Sequence, residues 1–396
     1  MPIDRCPVCQ GLDTRLFLQR EHVPVHQNLV LAQQAQARAI TRGSLQMHVC
    51  CSCGFVFNAA FDTDRLSYGQ DYDNTQAHSA AFDAYLDGLA AQLVGEHGVR
   101  NARIVEVGCG KGHFLHKLVN FPEAGNSGFG FDPSYVGPEV VLDGRLRFRR
   151  SLYDASCADV PADVVVCRHV IEHVADPLPL LRAVRAALSR SPRARVFFET
   201  PCVEWILRNQ VVWDWFYEHC SLFGAPSLCA AFERSGFVVD AVRHVFGGQY
   251  LWLCARPADV AATPCVVDPG AVVQLALAYG RVESSLRADW LQRLTCLREQ
   301  GPVALWGAGA KGVTFANLTD PQATLLDCVV DINPNKQGRF VPGSAHAIVA
   351  PQALPARGVR SVVLMNPNYR REVRQTLAGL GNAARLITWS DTCDSR

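Results

Sequence analysis

The chain is short of net charge, of methionine and of long apolar runs, and two of these shortages remove a class of function. Its 38 basic and 37 acidic side chains leave a net charge of +1 over 396 residues. That balance offers no electrostatic footprint for nucleic acid or for an anionic membrane surface. No uncharged apolar stretch approaches the ~18 residues of a membrane span. The opening MPIDRCPVCQ has no apolar core of the kind a secretory signal needs. Only three methionines occur, whereas cysteine is plentiful at 16. Most cysteines stand singly in apolar runs such as VVVC (164–167) and LWLC (251–254), where a free thiol behaves as a small hydrophobe. Such usage fits a reducing cytoplasm better than a disulfide framework, so a cytoplasmic protein is expected.

A chain of this length exceeds one ordinary core. Residues 1–75 hold clustered cysteines and little regular periodicity. Over 76–258 a helical pattern, AFDAYLDGLAAQLVGEHG, gives way to ARIVEVG, KGHFLHKLV, SGFGFD, DVVVC, PLLRAVRAAL and ARVFFET. Alternating strand and helix signals of this kind predict a parallel sheet covered on both faces. SLCAAFERSG follows, then FVVDAVRHV and YLWLCAR, near enough in sequence to pair. RPADVAATPCVVDPG (256–270) reads as a linker. Over 270–396 a long helix near 271–299 precedes VALWG, KGVTFANL, LLDCVVDI, SVVLMN, a helix near 368–380 and ARLITW. The expected fold class is α/β: a small cysteine-built lobe followed by two separate Rossmann-like sheets.

Cys6-Pro-Val-Cys9 and Cys50-Cys51-Ser52-Cys53 are two C-x2-C knuckles. Together they offer four thiolates in a tetrahedron, the donor set of a structural zinc site with no open position. The 40 residues between them exceed the usual ribbon spacing of about 15–20, and His22, His26 or His48 could replace one ligand. The bland alternative is four ordinary buried cysteines.

The first predicted sheet carries Glu106-Val-Gly108-Cys-Gly110-Lys-Gly112, and its next strand ends in Asp132. Alternate glycines let backbone pass close beneath a ligand, and a strand-end acid can grip a ribose. The second sheet opens with Gly307-Ala-Gly309-Ala-Lys311-Gly312 and has Asp331 19 residues beyond the last glycine. Taken alone that is a dinucleotide fingerprint, which raises an NAD-dependent oxidoreductase as a rival. Lys311 inside the loop also suits a diphosphate belonging to a substrate.

The first of these loops, with Cys167-Arg168-His-Val-Ile-Glu172-His173 after the fourth strand, resembles the class I S-adenosylmethionine (SAM)-dependent methyltransferases. The resemblance assigns Glu106, Gly108, Gly110, Gly112, Asp132, Asp154 and Arg168 to SAM. Paired knuckles, a SAM sheet and a C-terminal GAGAKG sheet together resemble one family over nearly the whole chain. These are the zinc-containing sugar C-methyltransferases of deoxysugar biosynthesis, which methylate carbon 3 of a nucleotide-linked 4-keto-hexose. The family carries over Cys6, Cys9, Cys50 and Cys53 as zinc ligands. DINPNKQGRFVPGS (331–344) and LMNPNY (364–369) look like its C-terminal domain, which implies Gly309, Lys311, Asn317, Asp331 and Asn366 as substrate contacts. Tyr68 or Tyr72, with Tyr72 preferred, corresponds to a family tyrosine after the lobe.

WDWFYEHC (213–220) sets an acid beside a histidine among aromatic rings. The family's Tyr-His-Glu-His-like run aligns here as Phe216-Tyr217-Glu218-His219, so its tyrosine has moved by one position or been lost. Methylating carbon beside a ketone needs a base to remove the acidified proton, and neutral histidine, with an ordinary pKa of ~6.5, serves near pH 7. The expected roles are His219 as base, Glu218 fixing its tautomer, and Tyr217 and Tyr72 donating to an enolate oxygen. A nucleotide sugar is the expected partner, without nucleic acid or membrane, and the chain is expected to work as a monomer. An O- or N-methyltransferase on a sugar or other small molecule would use the same base. A zinc lobe beside a SAM sheet also suggests an RNA methyltransferase, but residues 1–60 have no Lys/Arg cluster.

Overall fold

The computed structural model describes residues 5–66, 78–258, 268–388 and 391; Tyr68 and Tyr72 lie outside them. The N-terminal lobe is a sheet of β1 (Thr14–Pro24), β2 (Arg42–Cys50) and β3 (Val56–Asn58), with the short helix α1 (Gln34–Arg38) between β1 and β2. Its apolar alternation is clearest in β2, where Leu45, Met47 and Val49 turn inward. Bulges in β1, at Leu16/Leu18 and Arg20/Val23, interrupt the period that sequence reading looks for.

The central unit begins with α2 (Ala80–Gly95), whose N-cap Ser79 accepts from the Phe82 amide at 3.2 Å. It continues through β4 (Arg103–Val107), α3 (His113–Val119), β5 (Ser127–Phe131), β6 (Val140–Val141), β7 (Leu146–Arg149) and β8 (Val164–Arg168). Then come α4 (Pro177–Ala187), β9 (Arg195–Pro201), α5 (Val203–Arg208), β10 (Ser221–Leu222), α6 (Ala225–Glu233), β11 (Phe237–Val245) and β12 (Tyr250–Pro257). Eight strands form one sheet in the order β11-β12-β9-β8-β4-β5-β7-β6. The inner strands β9, β8, β4, β5 and β7 are parallel, and β11 and β12 close one edge antiparallel. Burial on both faces explains why β8 reads as the unbroken run VVVC.

β10 does not join this sheet. It pairs antiparallel with β3, so the lobe sheet has the order β1-β2-β3-β10. The stretch just before β10 is thereby stitched to the lobe, a long-range pairing that no local pattern announces.

The third unit starts with α7 (Gly270–Gln300) and has a parallel sheet in the order β15-β14-β13-β16-β17. Its strands are β13 (Val303–Trp306), β14 (Leu326–Val330), β15 (Ile348–Val349), β16 (Ser361–Leu364) and β17 (Arg385–Thr388), with helices α8 (Ala310–Thr319) and α9 (Arg370–Gly379). α7 buries Val272, Ala276, Tyr279 and Glu283 along one stripe and packs on β1, β2 and α5. One core runs through all three units, joining Met47 of the lobe, Trp213, Trp215 and Tyr217, and Phe315 of α8. The aromatic stretch is therefore a plug between units. Among the described residues no helix is long and apolar enough to cross a membrane.

Gly312 shows how tightly the second loop is built. A Cβ there would lie 1.9 Å from the Gly307 carbonyl oxygen, so only glycine lets α8 sit this close to the strand end. Gly312→Ala is expected to lower stability by at least ~1–3 kcal/mol, read by urea unfolding.

Candidate active site

β4 leaves its sheet into the glycine loop, where Gly108, Gly110 and Gly112 have φ of 69°, 54° and 77°. The amides of Gly108 and Cys109 return to the Phe131 carbonyl at 2.8 and 3.1 Å. Asp132, at the end of β5, accepts from the Gly110 amide at 2.8 Å and from the Ser134 amide at 2.8 Å. Through the Gly110 amide it holds the loop's shape. Gly108→Ala would put a Cβ 2.2 Å from Val170 Cγ2 at a φ that side chains avoid. The expected outcome is at least tenfold weaker SAM binding by calorimetry.

Two buried groups beside this loop lack hydrogen-bond partners in complementary ways. Glu106 is 3% exposed with Oε2 unpaired, and burial pushes its carboxyl up to about 8. Arg168 places Nε 2.5 Å from Glu199 Oε2 and its guanidinium 4.7 Å over the Phe114 ring, while Nη2 has no partner. An acceptor and a donor waiting side by side fit the ammonium and carboxylate of an amino-acid ligand. Tyr85 Oη donates to Glu199 Oε1 at 2.5 Å and fixes the acid from α2. Asp154 is placed differently from expectation: it is exposed and caps its own turn, accepting from the Ser156 amide at 2.9 Å.

The base site is assembled by a turn. The His219 amide donates to the Phe216 carbonyl at 3.2 Å, which brings residues 216 and 219 together and sends 217 and 218 outward. The His219 ring accordingly lies 4.1 Å from the Phe216 ring and 4.9 Å from the His173 ring. Burial, then the nearby His173, His169 and Lys311, push the His219 pKa well below 6.5.

The expected partnership of Glu218 with His219 is absent. Glu218 Oε2 accepts from the Gln27 amide of the lobe at 2.9 Å, and Oε1 faces His26 Nδ1 at 3.6 Å. Tyr217 is likewise turned away: its hydroxyl accepts from the Asp62 amide at 2.8 Å and donates to the Asp62 carbonyl at 3.2 Å. Trp215 contributes its carbonyl to Arg20 Nη1 at 3.3 Å, and Cys220 its carbonyl to the Asn58 amide at 2.9 Å. Four ties, at residues 215, 217, 218 and 220, hold the segment to the lobe, and the His219 ring faces His173 of the central unit.

Sequence reasoning left the groups around His219 unassigned. His169, Glu172 and His173 come from the turn after β8, and their i, i+3, i+4 spacing was the available signal. His169 sits at φ 55° with Nδ1 3.1 Å from Glu172 Oε1 and Nε2 3.7 Å from Glu199 Oε1. Although burial acts against its charge, Glu199 and Glu172 raise it to about 9. A raised folded-state value contributes stability that is fully present below the unfolded pKa near 6.5 and lost as pH rises through about 9. Thermal melts of the wild type are expected to fall over that window, and less so for His169→Gln.

The third unit closes the site. Lys311 Nζ donates to Asp214 and lies 5.9 Å from the Trp205 ring centre, which ties the second loop to the aromatic stretch. Gly309 caps α8, while Asp331 accepts from the Ala308 amide and the Asn333 amide, both at 2.8 Å. Asp331 therefore braces its own loop. Asn317 donates to the Val313 and Pro342 carbonyls, and Asn366 accepts from Gln249 Nε2 at 2.8 Å. Of the expected substrate contacts, Gly309 and Lys311 border the loop, Asp331 holds it, and Asn317 joins α8 to the Pro342 segment. Phe216 also lines a cavity of ≈ 320 Å³ between β1 and α8, bordered by Arg20, Gln27 and Thr314.

In the lobe, Cys6 and Cys53 place their sulfurs 3.6 Å apart, and Cys9 and Cys50 3.4 Å. All four lie within 4.8 Å of one another without a disulfide, and Cys51 stands aside. Zn–S bonds of about 2.3 Å in a tetrahedron separate sulfurs by roughly 3.8 Å, so these thiols fit zinc.

Residues 78–242 match the family described as a methyltransferase domain, and residues 276–388 match the C-methyltransferase C-terminal domain. The chain is a SAM-dependent methyltransferase that carries a C-methyltransferase C-terminal domain. The C-methyltransferase NovU of Streptomyces niveus is 26% identical over 394 residues, spanning 94% of this chain and 91% of that one. Similar solved structures include a SAM-dependent methyltransferase from Mesorhizobium loti, 18% identical over 43% of this chain and 99% of that chain, with a TM-score of 0.34. Another is magnesium protoporphyrin IX methyltransferase from Synechocystis, 16% identical over 48% of this chain and 90% of that chain, with a TM-score of 0.36.

Proposed function

We propose that this C-methyltransferase acts on the carbon beside a ketone in a nucleotide-linked deoxysugar, with His219 as the base. The observation that carries the reading is His219 itself: a half-buried ring kept neutral, facing the Glu172–His173 turn at the edge of the SAM sheet. A ring nitrogen of His219 takes the proton, and the bond's electrons remain on the substrate as an enolate. When bound, SAM supplies an electrophilic methyl group. Glu106, Gly108, Gly110, Gly112, Asp132 and Arg168 would hold it, and the unpaired Glu106 Oε2 and Arg168 Nη2 would suit its ammonium and carboxylate. Gly309 and Lys311, at the N-terminus of α8, favour the substrate's diphosphate by backbone amides and charge. Phe216, Trp213 and Trp215 keep water away. Cys6, Cys9, Cys50 and Cys53 hold a structural zinc, and one chain supplies the whole site as a monomer.

Incubation in D2O with SAM and a panel of nucleotide 4-keto-hexoses tests the reading. Deuterium is expected at the carbon beside the ketone. A second reading, O- or N-methyl transfer, is favoured by the engagement of Tyr217 with the lobe, which removes one donor expected for an enolate. Methyl transfer to a hydroxyl or amine without exchange would establish that alternative. His219 is the base in either case. Because protonation would silence it only well below pH 6.5, the acid limb of kcat/KM is expected there and not near the ordinary histidine value.

A further inference from the structure

Removing a proton with His219 creates an imidazolium in a place hostile to positive charge. Burial opposes it, and His173, His169 and Lys311 all add repulsion. An uncompensated buried charge is costly unless an opposite charge stands nearby. Glu218 is turned toward Gln27 and His26, so the compensating carboxylate has to come from elsewhere.

We propose that Glu172 is that carboxylate, acting as a positioning residue for the His219 base, with His173 carrying the abstracted proton outward. The inference rests on His219 being the base and deepens that reading. Glu172 is 0% exposed, yet a carboxylate oxygen lies within 4.8 Å of ring nitrogens of both His173 and His219. Its orientation is set from two fixed elements: Thr200 Oγ1 on β9 donates to Oε2, and His169 Nδ1 at the end of β8 donates to Oε1, each at 3.1 Å. The Glu172 carbonyl accepts from Cys220 Sγ at 3.7 Å, and the Val174 carbonyl from Ser221 Oγ at 2.7 Å. The turn bearing Glu172 is thereby locked to the segment bearing His219.

His173 has the placement a relay needs. Its ring meets that of His219 at 86°, its Nδ1 is buried without a hydrogen-bond partner, and the residue as a whole is half-buried. The proton passes from the substrate carbon to His219, then to His173, then to solvent, while the electron pair left by the broken C–H bond stays on the substrate. The charged and titratable groups facing Glu172 are His169, His173, His219 and the Cys167 and Cys220 thiols, with Glu199 and its partner Arg168 beyond His169. Arg168 and His169 balance Glu199 and Glu172, and of the two carboxylates Glu172 is the one grouped with His219, where the imidazolium forms.

The test compares Glu172→Gln, Glu172→Asp and Glu218→Gln with the wild type, all as zinc-loaded full chains. Histidine side-chain NMR titration is the readout that needs no substrate. Loss of Glu172 is expected to lower the His219 pKa further, while Glu218→Gln leaves it in place. With a keto-sugar, Glu172→Gln is expected to cut the kcat for deuterium exchange at least tenfold, with KM within about twofold, and Glu172→Asp to restore part of it. An unchanged His219 titration in Glu172→Gln, or the larger loss falling on Glu218→Gln, would overturn the proposal. Should the wild type exchange no deuterium with any sugar, the substrate reading falls, and the titration still decides the role of Glu172.

Discussion

His219→Ala is expected to remove methyl transfer and substrate deuterium exchange together, by about 10²–10⁴-fold, the usual worth of a general base, while leaving SAM affinity within about twofold. The two effects separate because the elements differ. SAM is expected on the β4 and β5 strand ends, through Gly108, Gly110 and Asp132. His219 hangs from a turn that the lobe holds, and its ring contacts Phe216 and His173. The ring is half-buried and neutral and packs on Phe216 and His173, so the thermal midpoint should fall by no more than a few degrees. Calorimetry with SAM and exchange in D2O are to be measured on one preparation. Retained exchange would eliminate His219 as the base, whereas lost SAM binding would assign it to the cofactor site.

The same segment marks where sequence reading stops. Periodicity found the parallel strands, because β4, β8 and β9 are covered on both faces and declare themselves as apolar runs. The knuckles were legible because four thiols in two C-x2-C pairs have few other uses. Adjacency misled at Glu218: neighbours in sequence are taken as partners, but the turn closed by the His219 amide on the Phe216 carbonyl separates 218 from 219. Glu172, 47 residues earlier in the chain, stands nearer because the end of β8 and the segment before β10 converge. Asp331 misled in another way. A strand-end acid after a glycine loop reads as a ribose contact, yet both oxygens of Asp331 accept backbone amides, as those of Asp132 do beside the first loop, so both acids brace their own loops. In each case a side chain that looked like chemistry serves the frame, and only distances between remote segments separate the two roles.

The frame's importance leads to the second large effect. Cys50→Ser is expected to abolish metal retention and to reduce methyl transfer at least 10²-fold while SAM still binds. Cys50 ends β2 and its amide donates to the Phe55 carbonyl, so one residue joins the knuckle to the strand that leads into β3. A structural zinc contributes on the order of 10 kcal/mol to folding a lobe of this size, more than the short sheet can replace. With the lobe loosened, β10 loses its partner β3, Glu218 the Gln27 amide and Tyr217 the Asp62 backbone. The ties of the His219 turn to the lobe are then loosened, leaving those of Cys220 and Ser221 to the Glu172 turn. Packing of Phe55 on Phe223, with ring centres 4.9 Å apart, is lost as well, so some stability of the central unit should go with it. The glycine loop, held by Phe131 and Asp132, has no such dependence. Metal content by mass spectrometry, SAM affinity and turnover are the three quantities to follow. A zinc-free variant that still turns over at the wild-type rate would show that the lobe does not hold the base, and the ties described above would then be contacts without consequence for catalysis.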